Sequence, residues 1–172
     1  MAKVAVILHE WFEDSEYTSP AKALNEAEHD TTTVGLKPGE TVKGKRENTL
    51  VRVEKDVRSE NPQGYDALLI PGGYSPDQLR AFPEPVAFVR HFMEAGKPVF
   101  TICHGAQLLV TADALKGRRT TGWKSIIRDI ENAGAEYVDE EVVVDGNLVA
   151  SRSPADLPAF NAACIRMLSQ ND

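Results

Sequence analysis

The stretch KPVFTICHGAQLLVTADAL, residues 97–115, opens on an apolar run, Val99 to Ile102, that stops at Cys103-His104-Gly105. Apolar residues then resume at wider, helical spacing. A short continuous apolar run bounded by turn signals reads as a buried strand, and the wider spacing after it as a helix over His104 to Thr111. The same alternation extends in both directions. Upstream, Pro85 to Ala95 reads as a helix stopped by Gly96. Before it, Ala67 to Ile70 is a buried strand ended by Pro71-Gly72-Gly73. Lys3 to Leu8 is a strand, and Asp14 to Ala27 a helix bent or offset at Pro20. Thr31 to Leu36 is a β-branched strand and Leu50 to Val53 a weaker one. Downstream, Lys124 to Ala133 is a helix closed by Gly134. Val142 to Val144 and Leu148 to Ala150 flank Asp145-Gly146-Asn147, a hairpin signal. Ser153-Pro154 opens the last helix, with Asp156 three residues after the Ser cap. Strands alternating with helices imply an α/β sandwich with a mostly parallel sheet. Near-continuous apolar strands are those covered on both faces.

Bulk properties narrow the class. The 172 residues, 42% hydrophobic, fit one domain with a single core over residues 1–172. A net charge of −7 and scattered basic residues argue against a nucleic-acid surface, which needs a basic stripe. The cluster Lys43 to Arg46 lies in a polar, irregular loop, Lys37 to Asn48. The first apolar run is too short for a signal core or a membrane span. Cys103 and Cys164 form no CxxC motif. These features read as a soluble cytoplasmic protein with free thiols.

In parallel α/β sheets ligands bind at the carboxyl ends of the strands. Three such ends carry chemistry: His9 to Asp14, Pro71-Gly72-Gly73, and Cys103-His104-Gly105. Most free cysteines are small buried hydrophobes. Cys103 instead stands on a strand-to-helix turn, like a nucleophile elbow, where a helix N-terminus would acidify the thiol. His104 is either a first-turn surface residue or the base and proton relay for that thiol. Glu13, one of four acids between Glu10 and Glu16, is a helix-start acid by position. If it reached Cys103, it would do so protonated, titrating with the thiol as a unit. Gly72 and Gly73 end a strand, and glycine also lets a backbone amide approach an oxyanion. Asp77, in Ser75-Pro76-Asp77-Gln78, reads as part of a capping box. No metal site is expected: His9-Glu10-Trp11-Phe12-Glu13 lacks the second histidine of HExxH. No cofactor motif is present, neither GxGxxG nor a P-loop. Cys164 reads as core.

The segments EWFEDSEYTSP, YDALLIPGGYSPDQLR, GKPVFTICHGAQLLV and EVVVDGNLVASRSPADLPAF resemble, in order, those of the PfpI superfamily. That group contains intracellular cysteine proteases and the Parkinson-disease deglycase protein, and SPADLPAF resembles its bacterial general-stress-protein branch. The resemblance implies a flavodoxin-like three-layer α/β/α sandwich of the class I glutamine-amidotransferase-like type. It makes Cys103 the nucleophile and Glu13 the glutamate that hydrogen-bonds the thiol. It makes the Gly73 and His104 amides an oxyanion hole. Asp77 aligns with the acid that, in the protease branch, orients the histidine from a neighbouring subunit. Trp123 falls where that branch has a tyrosine near the thiol. Two departures stand out: Asp77 is one methylene shorter than the usual Glu, and the common CHGP is here CHGA, with Ala106. The implied function is a stress-response hydrolase or lyase acting on reactive carbonyls or their adducts on proteins or peptides, without a cofactor. The alternatives are a cysteine peptidase, and a redox sensor or chaperone using oxidation of Cys103. Homodimers are implied, with hexamers in the protease branch.

Overall fold

The computed structural model describes residues 1–46 and 49–170. In chain order its elements are β1 (Lys3–Ile7), α1 (Asp14–Glu26), β2 (Asp30–Gly35), β3 (Thr41–Lys43), β4 (Leu50–Arg52), β5 (Lys55–Asp56), β6 (Ala67–Ile70), α2 (Ser75–Leu79), α3 (Pro83–Glu94), β7 (Val99–Ile102), α4 (Ala106–Thr111), β8 (Arg119–Thr120), α5 (Ile127–Asn132), β9 (Glu136–Tyr137), β10 (Val143–Asp145), β11 (Leu148–Ser151) and α6 (Leu157–Gln170). Seven strands form the central sheet in the order β10-β11-β7-β6-β1-β2-β5. All its pairings are parallel except that of the edge strand β10 with β11. The molecule is therefore α/β with a mostly parallel sheet flanked by helices.

The strands alternate strictly, but with apolar residues on both faces. Ala5, Ile7, Leu68, Ile70 and Val99 pack under α3 and α4 through Val89, Phe92, Leu108 and Leu109. Val4, Val6, Leu69, Phe100 and Ile102 pack under α1 and α6 through Leu24, Phe160 and Leu168. Each fully buried side chain of this size contributes about 1.5–3 kcal/mol, so both layers are held by the sheet. The chain runs from β1 outward to β2, then crosses back to β6. Strand order thus reverses between β1 and β6, and such a reversal opens a crevice at the carboxyl edge.

Several local readings need correction. The segment Lys37–Asn48 is not all irregular: β3 pairs antiparallel with β4, and Val42 and Val51 cover Leu8, Phe12 and Val53. Its residues 47 and 48 lie outside the described ones. Helix α1 runs through Pro20 without a break. The two capping boxes do not form. Ser75 Oγ accepts from the His9 amide at 2.9 Å, and Gln78 Nε2 donates to the Glu10 carbonyl at 2.7 Å. Ser153 makes no side-chain cap, while the Asp156 carboxylate takes the Arg152 amide at 2.9 Å and its guanidinium at 3.0 Å. Ser75 and Gln78 are drawn to partners more than sixty residues away in sequence, whereas Asp156 is taken by Arg152, four residues before it. The hairpin is as read: Gly146, at φ 57°, and Asn147 close β10 onto β11.

Candidate active site

Strand β7 delivers Cys103 to the carboxyl edge beside β6. The residue has φ 59°, in the left-handed region that costs a side-chain-bearing residue roughly 1–2 kcal/mol. Three neighbours hold it there. The Trp123 amide donates to the Cys103 carbonyl at 3.1 Å. A Cβ on Gly105 would lie 2.5 Å from the Ile70 carbonyl oxygen, and one on Gly72 would lie 3.0 Å from both Cys103 Cβ and the His104 nitrogen. Gly72 is therefore the glycine that packs against the elbow. Gly73, at φ 79°, instead turns the chain under the backbone of Trp11 to Glu13.

The acid beside the thiol is Glu16. Glu13 precedes the helix, with φ −73° and ψ 115°, and leaves before the first turn is formed. Its carboxylate is held by Lys45 Nζ at 3.2 Å and Arg46 Nε at 2.9 Å. Glu16, fully buried, lies on the stripe that α1 presents to the sheet with Pro20 and Leu24. Its Oε1 accepts from the Gly72 amide at 3.1 Å. Its Oε2 is buried without an aligned donor among the described residues. The Cys103 thiol couples to this carboxyl through charge and hydrogen bonding. An oxygen so enclosed is where a proton resides. Burial first, and then the Glu13 charge, push Glu16 from its ordinary 4.5 to about 8. It is a neutral carboxylic acid at pH 7.

The thiol is not acidic at rest. Burial pushes Cys103 up, the Glu16 charge adds to this, and the His104 amide pulls the other way without prevailing. The expected helix N-terminus is short: Cys103–Gly105 form a 3-10 turn, and α4 follows for only six residues. Glu16 and Cys103 titrate together, and while Glu16 keeps its proton it can donate to a thiolate.

His104 bridges two groups. Its Nδ1 lies 3.4 Å from Cys103 Sγ, and its Nε2 lies 3.3 Å from Ser125 Oγ. Burial lowers its pKa, so the ring is neutral at pH 7. Asp77 is exposed and pairs with Arg80 of its own chain at 2.8 Å. It reaches His104 only as a charge acting through space. Trp123 packs between both core layers while its amide fixes the elbow. Both cysteines are free thiols, and Cys164 is core on α6. Among the described residues no cluster of His, Cys, Asp or Glu could hold a metal, and no helix is long and apolar enough to cross a membrane.

Two residues of the site escape the sequence reading, Glu16 and Ser125. Glu16 had a signal: with Pro20 and Leu24 it keeps the four-residue spacing of a buried helix face. Ser125 had none, because the turn that carries it meets His104 only in space.

This is the layout of an α/β protein built around a cysteine elbow. The chain belongs to the DJ-1/PfpI family, which it matches over residues 2–167. It is 53% identical to General stress protein 18 of Bacillus subtilis, covering 98% of both chains. It is 51% identical to Protein/nucleic acid deglycase 2 of Escherichia coli, covering 96% of this chain and 97% of that one. A solved two-domain protein of Anabaena variabilis, with DJ-1/ThiJ/PfpI-like and ferritin-like domains, superposes with TM-score 0.96 at 39% identity. That match covers 98% of this chain, which spans about half, 48%, of the two-domain chain.

Proposed function

We propose that the protein is a stress-response enzyme using Cys103 as nucleophile on reactive carbonyls such as methylglyoxal, or on their adducts with proteins. The observation that carries this reading is the strained Cys103 coupled to a protonated Glu16. The thiolate adds to the carbonyl carbon, a C–S bond forms, and the carbonyl electron pair moves to oxygen. The Gly73 and His104 amides receive that oxyanion. His104 Nδ1 relays the proton from sulfur to oxygen. Glu16 keeps its own proton and donates it as a hydrogen bond, which steadies the thiolate without becoming its repelling neighbour. The names of the two bacterial relatives support this class. The deglycase's name extends to nucleic acids, whereas a net charge of −7 favours proteins and free carbonyls here.

Methylglyoxal consumption tests the reading. Cys103→Ser is expected to lose at least about 100-fold, since an unactivated hydroxyl replaces the reacting sulfur. Equal rates for the two proteins would contradict it. We place the enzyme in the cytoplasm as a homodimer, whose mass sedimentation equilibrium reads directly. A monomer at micromolar concentration would remove any role for Asp77 across an interface.

A further inference from the structure

We propose that Ser125 is a positioning residue for His104, a hydroxyl that allows the imidazole to carry its proton on either ring nitrogen. The proposal rests on Cys103 being the nucleophile that His104 serves. The imidazole is held at both ends, with Cys103 Sγ at 3.4 Å from Nδ1 and Ser125 Oγ at 3.3 Å from Nε2. Asp77, which aligns with the acid that orients the histidine from a neighbouring subunit in the protease branch, pairs with Arg80 within its own chain. The difference between the two partners is chemical. A carboxylate only accepts hydrogen bonds and would lock the proton on Nε2. A hydroxyl donates and accepts.

That two-way capacity matches what a relay needs. When Nδ1 takes the thiol proton, Nε2–H donates to Ser125 Oγ. When the neutral ring instead holds its proton on Nδ1, facing a thiolate, the Ser125 hydroxyl rotates and donates to Nε2. Ser125 gains and loses no proton in either state. The titratable and charged groups facing the ring are Cys103 with Glu16 behind it, Lys45 from the segment after β3, and Asp77 and Arg80 from α2 and its end. Lys124, next to Ser125, lies over the Trp123 ring, its Nζ 5.4 Å from the centroid. None of these takes the Nε2 hydrogen bond, which is Ser125's.

The test uses Ser125→Ala, Ser125→Thr and Ser125→Asp, all at an exposed position. Ring nitrogen-15 NMR of His104, assigned by its loss in His104→Gln, reads tautomer and pKa together. In the wild type the neutral ring should show averaged shifts of two exchanging tautomers. Ser125→Asp should fix the proton on Nε2 and raise the His104 pKa, because a carboxylate there favours the imidazolium. Methylglyoxal turnover should fall about three- to tenfold in kcat in Ser125→Ala, the effect of one lost neutral hydrogen bond, with KM unchanged. Ser125→Thr should restore it. Ring shifts and pKa identical in wild type and Ser125→Asp would overturn the proposal, as would wild-type kcat in Ser125→Ala. The NMR readout needs no substrate. If it behaves as expected while the wild type leaves methylglyoxal untouched, the proposed function fails and the role of Ser125 stands.

Discussion

Glu16 changes the chemistry expected of the elbow. Its carboxyl sits against the Gly72 amide at 3.1 Å and against the thiol, in a place that water does not reach. Its raised pKa has a consequence for stability. Between about 4.5 and about 8 the folded chain holds a proton on Glu16 that the unfolded chain has released. The unfolded state then binds fewer protons, so stability falls as pH rises through that window and is fully present only below it. Glu16→Gln removes the titrating group. Thermal melts at the two ends of the window should show the variant gaining on the wild type as pH rises. A difference in Tm that does not change with pH would mean that Glu16 titrates normally. Glu13 and Glu16 show what sequence can and cannot tell at this scale. Four acids crowd the start of α1, and the resemblance selects Glu13. Helix phase does not separate them, since Glu13 stands three residues before Glu16 and is also buried. What separates them is that Glu13 precedes the helix in extended conformation and its carboxylate is taken by Lys45 and Arg46.

At the scale of elements, the apolar runs of β1, β6 and β7 were legible because each is buried on both faces and has no polar position to confuse its period. The start of α1 at Asp14 was legible from its acidic first turn. Strand β3 was not, since Thr41-Val42-Lys43 offers a single apolar residue, and its pairing with β4 is set by what Val42 covers. The ribbon serves the site as well as the core: the segment that follows β3 supplies Lys45 and Arg46 to Glu13, and the Arg46 and Thr49 amides to the Asp14 carboxylate. The capping boxes were legible as patterns but not as structure. Ser75 and Gln78 tie α2 to the chain after β1, and so help hold the crevice wall instead of closing a local cap. Cys103 was legible as an elbow because a strand, a cysteine and a glycine stand in immediate succession. Its pKa was not, because the balance between burial and a short helix depends on depth.

Across the whole molecule, three strands from distant parts of the sequence meet to make one site. β1 leads into α1 and Glu16, β6 ends in Gly72, and β7 ends in Cys103, with β6 lying between the other two. The order reversal beside β6 opens the crevice, and the absence of a Cβ on Gly72 lets acid and thiol close over it. This arrangement makes Glu16 and Cys103 one titrating unit. The pH dependence of Cys103 alkylation by iodoacetamide, followed on the Cys103 peptide by mass spectrometry, tests it most directly. Once the pair has lost one proton, the remaining proton divides between the two sites in a ratio that pH does not change, so reactivity stops rising until the second proton leaves. The wild-type rate should climb and then level off near pH 8. In Glu16→Gln the plateau should vanish and the rate keep climbing. In Glu13→Gln the plateau should remain but begin at lower pH, because the Glu13 charge helps raise Glu16. A plateau that survives in Glu16→Gln and disappears in Glu13→Gln would contradict the account.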